Sequence, residues 1–269
     1  MNTALLFDPL FRLPFLTGLV FAAILPLLGM YLRLRNEWLA ALAFSHVASA
    51  GALLGMVVGA PLMAGGVMAA LAAALAKGAI ERVGDSGYAM LMLLGWGASV
   101  LVVANVPVAE QMGHALFDGQ LYFTGALQLT LAVGYFFVTA AGVRLLSRRL
   151  LLARFFPDFF RARGLSESRY HLAFDCLIAG ALALATTSIG VMGAFALVFV
   201  PPFIAYRWGS NWRGGLALAI VVGVACYVAA FAAALALDQP FGPLCAILLV
   251  AVGIVSTVLQ RLNSGRKSP

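Results

Sequence analysis

A succession of long apolar runs, separated by short polar connections, limits this chain more than any other feature. In order they cover roughly 13–32, 38–58, 61–79, 87–106, 123–143, 169–187, 190–206, 214–236 and 241–260. A helix needs about 20 mainly apolar residues to cross a hydrocarbon core about 30 Å thick. Backbone in hydrocarbon has to satisfy its own N–H and C=O groups, and these runs are too long for barrel strands. The sequence therefore predicts an all-α fold: a polytopic transmembrane bundle of about nine helices, forming a single integral-membrane domain over 1–269. Of the residues, 63% are hydrophobic and only 10% charged, where soluble domains carry about 25% charged residues. That balance excludes a soluble enzyme, a disordered tail and a disulfide-built secreted module. Cys176, Cys226 and Cys245 lie inside apolar runs and read as small buried hydrophobes, with no disulfide framework. The first run has no basic segment before it and is as long as a full span, so it reads as a helix and not as a cleavable signal.

The charges set the orientation. With nine spans, sixteen of the seventeen lysines and arginines fall on one side, and Arg12 alone is left on the other. Basic residues collect in the cytoplasm, which places the N-terminus outside and the C-terminus inside a cell's inner (plasma) membrane. The same bias accounts for the net charge of +7 without nucleic acid as a partner. Opposite lies a mildly acidic face, with Glu110, His114 and Asp118 in the connection of roughly 106–122 and Asp238 before the last span. These four read as ordinary solvated loop charges.

Three segments could carry chemistry. The longest polar connection, 144–169, is cytoplasmic. Within it Pro157 suits a first helical position and Gly164 a helix end. Between them, Asp158, Phe160, Arg161 and Arg163 give a short helix with aromatic and basic faces, a shape suited to docking a soluble partner. Ser166, Glu167 and Ser168 offer capping groups for the next span. In the second segment, Gly51, Gly55 and Gly59 recur every four residues and invite a close neighbouring helix. His46 points about 140° away from them, on a stripe with Leu39 and Leu42. A histidine at membrane depth faces either a bundle interior or a cation path, and a neutral imidazole bonded to a carbonyl or to Ser45 is the structural alternative. In the third, Gly190 leads into Pro201 and Pro202, which remove two backbone donors and predict a kink or break beside the pathway. Asp175 is the one carboxylate inside a span, close enough to the cytoplasmic side to reach out to it or to pair with an arginine there.

Together these segments resemble the permease subunits of zinc/manganese-type metal ABC transporters. The resemblance begins at Pro14-Phe15 and passes through Gly29, Arg33-Leu34-Arg35 and the His46 helix. It continues in Leu116-Phe117-Asp118-Gly119, the 157–164 segment and the Gly190-to-Pro201 spacing. It implies a homodimeric permease, a cytoplasmic ABC ATPase coupled through 157–164, and an extracytoplasmic substrate-binding protein that delivers a divalent metal, zinc first and then manganese or iron. Such a permease is a transporter and not an enzyme. It holds no cofactor of its own, since ATP is bound by the partner; this chain lacks a GxxxxGK[ST] phosphate loop. His46 is then a metal-facing residue, but the family's acidic and polar positions four and seven residues before it are Leu42 and Leu39 here. Metal ligands would come from Asp118, His114 or the second subunit, or the path would pass ions without holding them. A permease for a metal chelate, or a secondary ion transporter or channel working without ATP, are the alternative readings.

Overall fold

A computed structural model describes residues 9–79, 84–119, 121–156, 158, 160, 163 and 166–265. Among these residues there is no strand. Nine α-helices are bounded: α1 (Pro9–Arg35), α2 (Leu39–Val57), α3 (Leu62–Ala79), α4 (Asp85–Asn105), α5 (Pro107–Asp118), α6 (Ala126–Phe155), α7 (Ser168–Trp208), α8 (Trp212–Leu237) and α9 (Phe241–Gly265). Seven of them (all but α3 and α5) are long and apolar enough to cross a membrane, and α3 is apolar but shorter.

The expected sixth and seventh runs are joined in one helical element of 41 residues, α7, interrupted at Gly190 with φ 80° and ψ 163°. That interruption is a reversal of direction. Asp175, early in α7, bonds Arg35 at 2.8 Å, and Phe203 and Tyr206, late in α7, lie under the guanidinium of Arg33. A straight helix would separate positions 175 and 203 by about 42 Å, yet both meet the same end of α1. Gly190 makes the turn because its dihedrals belong to a region open to glycine alone. It rests against Gly119, another glycine of positive φ (92°). A Cβ at Gly190 would come within 2.6 Å of the Gly119 nitrogen.

The connection 106–122 differs from its expected form as a solvated loop. It holds α5, which starts with Pro107 in its first turn and Glu110 close behind. Proline fits the first turn because the missing N–H has no partner there, and Glu110 suits the positive end of the helix dipole. Leu116 and Ala109 of α5 are buried with Ala52 and Leu53 of α2. The capping expected of 166–168 is not made: Glu167 stands at the N-cap of α7 in a helical conformation, without a side-chain cap bond.

The core is built around α7, whose most apolar window is 78% buried, and around α1 and α2; α6, at 11%, faces outward. The glycines of α2 act as expected up to the helix end. Methyls at Gly51 and Gly55 would strike Ala69 and Gly65 of α3, while Gly59 lies beyond the helix in a turn with φ 77°. Cys226 and Cys245 are buried and Cys176 is half-buried, all as free thiols.

Gly190→Ala is expected to lower the thermal unfolding midpoint in detergent by the equivalent of about 2 kcal/mol or more. Gly193→Ala should be nearly neutral, because its methyl would meet its nearest neighbours at an ordinary 3.6 Å. Equal midpoints for the two variants would contradict the role of Gly190.

Candidate functional site

His46 lies half-buried on α2 between two aromatic rings, Trp96 of α4 at 6.1 Å and Phe117 of α5 at 6.0 Å between centroids. Gly95 lets α4 come this close: a Cβ there would sit 2.6 Å from the His46 carbonyl carbon. The expected bond to Ser45 is not made through Nδ1, since both His46 Nδ1 and Ser45 Oγ are buried without a hydrogen-bond partner among the described residues. One turn further along, the buried hydroxyls of Ser49 and Ser99 pair at 3.0 Å. Ser99 Oγ also lies 2.8 Å from the Gly95 carbonyl oxygen and Ser49 Oγ 3.1 Å from that of His46, so two hydroxyl hydrogens serve three contacts. Ser45, His46, Ser49 and Ser99 thus form a polar seam between α2 and α4. Ser49 and Ser99 were overlooked in the sequence because single serines in apolar runs give no spacing signal.

The Phe117 contact brings the end of α5 to His46, and Gly119, just past that end, lies against Gly190. Asp118 ends α5, and its side chain lies outside the described residues. His114 is exposed on α5. Among the described residues no group of three or more His, Cys, Asp or Glu side chains is placed to hold a metal ion. Zinc takes about four N, S or O ligands. The described part of the seam supplies one imidazole and hydroxyls between aromatic faces, an arrangement that can contact a passing cation but does not enclose it.

Pro201 and Pro202 do not produce the expected break. The run stays helical through both, and the departure from helical dihedrals is at Gly190, eleven residues earlier. Proline at 202 leaves the Val198 carbonyl without its intrahelical donor. That oxygen faces Gly29 of α1 so closely that a Cβ there would collide with it. The freed group is therefore covered by protein, as a carbonyl at membrane depth requires. Gly29 is what permits the approach.

Asp175 does not contribute to the seam: the charges around it stand at the start of α2, and Glu37 is nine residues, about 13 Å, before His46. It is 2% exposed and closes a ring of alternating charge. Arg35 binds Asp175 at 2.8 Å and Glu37 at 2.5 Å, and Lys77 binds Asp175 at 2.6 Å and Glu37 at 3.0 Å. Phe174 lies under Arg35, and Tyr88 under Lys77. Of the two possibilities open to Asp175, the structure has the pairing, with Lys77 added as a second cation. The four charges cancel and tie α1, α3 and α7 together with the turn into α2.

Of the docking segment, Pro157, Arg161 and Gly164 lie outside the described residues. Asp158 and Phe160 are helical, and Arg163 is exposed in a turn. Phe160 is buried, its ring 5.9 Å from Tyr170 of α7.

Removing one partner of a buried ion pair typically costs about 3–5 kcal/mol. Asp175→Asn should lower the unfolding midpoint by an amount in that range. Glu37→Gln should lower it less, because Glu37 is a quarter exposed. The two midpoints, measured by thermal unfolding in detergent, check this order.

Residues 8–260 match the sequence pattern of the ABC 3 transport family. The chain is 26% identical over 273 residues to the chelated iron transport system membrane protein YfeD of Yersinia pestis, covering 98% of this chain and 91% of that protein. It is 25% identical over 239 residues to the manganese transport system membrane protein MntC of Halalkalibacterium halodurans, covering 85% and 81% of the two. In fold it is similar to the structure of PsaBC from Streptococcus pneumoniae in complex with Fab, with a TM-score of 0.82 at 17% identity, over 94% of this chain and 92% of that one.

Proposed function

This chain belongs to the ABC 3 transport family, and on that premise we propose that it is the membrane permease subunit of an ATP-driven metal importer. The family match over 8–260 carries this reading. Two copies would form the pathway, a cytoplasmic ABC ATPase would drive it, and an extracytoplasmic binding protein would load it. The subunit itself catalyses no reaction. Nine membrane crossings fit the contacts when the two halves of α7 are counted separately and α3 is included. The end holding Arg33, Arg35 and Lys77 is then cytoplasmic, and the N-terminus lies outside.

The relatives shift the choice of cargo. Their names speak of manganese and chelated iron, and nothing favours zinc over these. A first-row divalent metal remains the leading cargo, with His46 as the residue that contacts it in passage. Leu39 and Leu42 on the same stripe, with Trp96 and Phe117 beside the imidazole, favour a second reading in which the metal arrives as a chelate. A chelate brings its own ligands and asks the pathway for width, not coordination.

Proteoliposomes containing the permease and its ATPase test this. Uptake of radioactive manganese or of an iron chelate should require ATP, and the permease alone should carry nothing. Metal movement through the permease alone would refute the ABC reading. His46→Ala should slow uptake of the free ion by about tenfold or more; unchanged uptake would make His46 structural. Reversing the charges at Arg161 and Arg163 should leave ATP hydrolysis running without transport, and normal coupling in that variant would remove 157–164 as the docking site.

A further inference from the structure

Away from the His46 seam, the basic ends of α6 and α8 form a groove of about 520 Å³. Arg144, Ser147 and Arg148 line it from α6, and Trp212 and Arg213 from α8. No carboxylate lines it, and among the described residues the ion pairs found are those of the Arg35–Glu37–Lys77–Asp175 ring. Three exposed arginines therefore line the groove, with no carboxylate beside them among the described residues. The Tyr31 hydroxyl donates to Ser147 Oγ at 2.8 Å, which leaves the serine hydrogen free to donate into the groove. The indole N–H of Trp212 is buried and finds no acceptor among the described residues.

We propose that this groove binds the phosphodiester headgroup of an anionic phospholipid. Arg144 and Arg148 are one turn apart on the same face of α6. They stand where the apolar run of 123–143 gives way to charge, the depth at which headgroups lie. Guanidinium forks match phosphate oxygens in pairs, and the Ser147 hydroxyl would add a further donor. On the membrane side of the arginines both helices show apolar surface, with Phe137 and Val138 of α6 and Val221 of α8 well exposed. Acyl chains can lie along that surface. A phospholipid seated here would set its phosphate among the arginines while its chains stay in the surrounding bilayer.

The purified full chain in detergent, titrated with phosphatidylglycerol or phosphatidylcholine and read by native mass spectrometry, tests the site. Wild-type protein should retain phosphatidylglycerol at least about tenfold better than phosphatidylcholine. The triple variant R144Q/R148Q/R213Q should lose that preference, and R148Q alone should weaken it severalfold if the triple variant fails to fold. R169Q/R207Q/R261Q, which removes three arginines elsewhere at the same end, should keep the preference. The proposal is overturned if R144Q/R148Q/R213Q retains the preference, if the control loses as much, or if millimolar inorganic phosphate displaces the lipid. It is equally overturned if adding the partner ATPase expels the lipid, since the groove would then be a protein-docking face.

Discussion

Gly119 and Gly190 meet backbone to backbone at one end of the bundle, and a Cβ on either would collide with the other's chain. Much of the architecture depends on that contact. It lets α7 turn back on itself within a single residue, so that both halves reach the same end of α1. It also fixes the end of α5 against the reversal, and this places Phe117 over His46. A bulkier turn would need extra loop, and loop backbone at this depth would need partners that hydrocarbon does not offer.

The other end is held by charge. Arg35, Glu37, Lys77 and Asp175 are expensive to bury singly, but in alternation each carboxylate accepts from two cations and no net charge remains. The ring fixes the register of α3 against α1 and α7 through directional bonds. Apolar packing between small residues, as at Gly51 and Gly65, sets distance but not rotation. The His46 seam lies between a glycine contact on one side and an ion-pair ring on the other, and it is polar where both supports are rigid.

Much of this was legible in the chain. The helical, membrane-spanning character followed from run length alone, and the rotation of His46 away from Gly51 and Gly55 followed from helical angle. Which cations pair with Asp175 was hidden because Arg35 and Lys77 lie 140 and 98 residues from it and individually resemble interfacial charges. Helix α5 was hidden by composition, since its polar residues mimic a loop although Pro107 and Glu110 carry a helix-start signal. The prolines make no break because the Val198 carbonyl that Pro202 frees is covered by the close approach of α1 at Gly29, and cover from a helix distant in sequence leaves no mark near the proline.

Helix α6 is 30 residues long, or about 45 Å, half as long again as the hydrocarbon it would cross. Crossing upright, roughly its last two to three turns would stand clear of the membrane as a stiff rod. Near the middle of α6 the Tyr135 hydroxyl donates to the Leu177 carbonyl of α7 at 2.7 Å, and a methyl at Gly142 would press on the Leu177 side chain. A force applied to the projecting end therefore has a fulcrum. It would arrive not at α6 itself but at the first half of α7, two residues beyond Asp175 of the ion-pair ring.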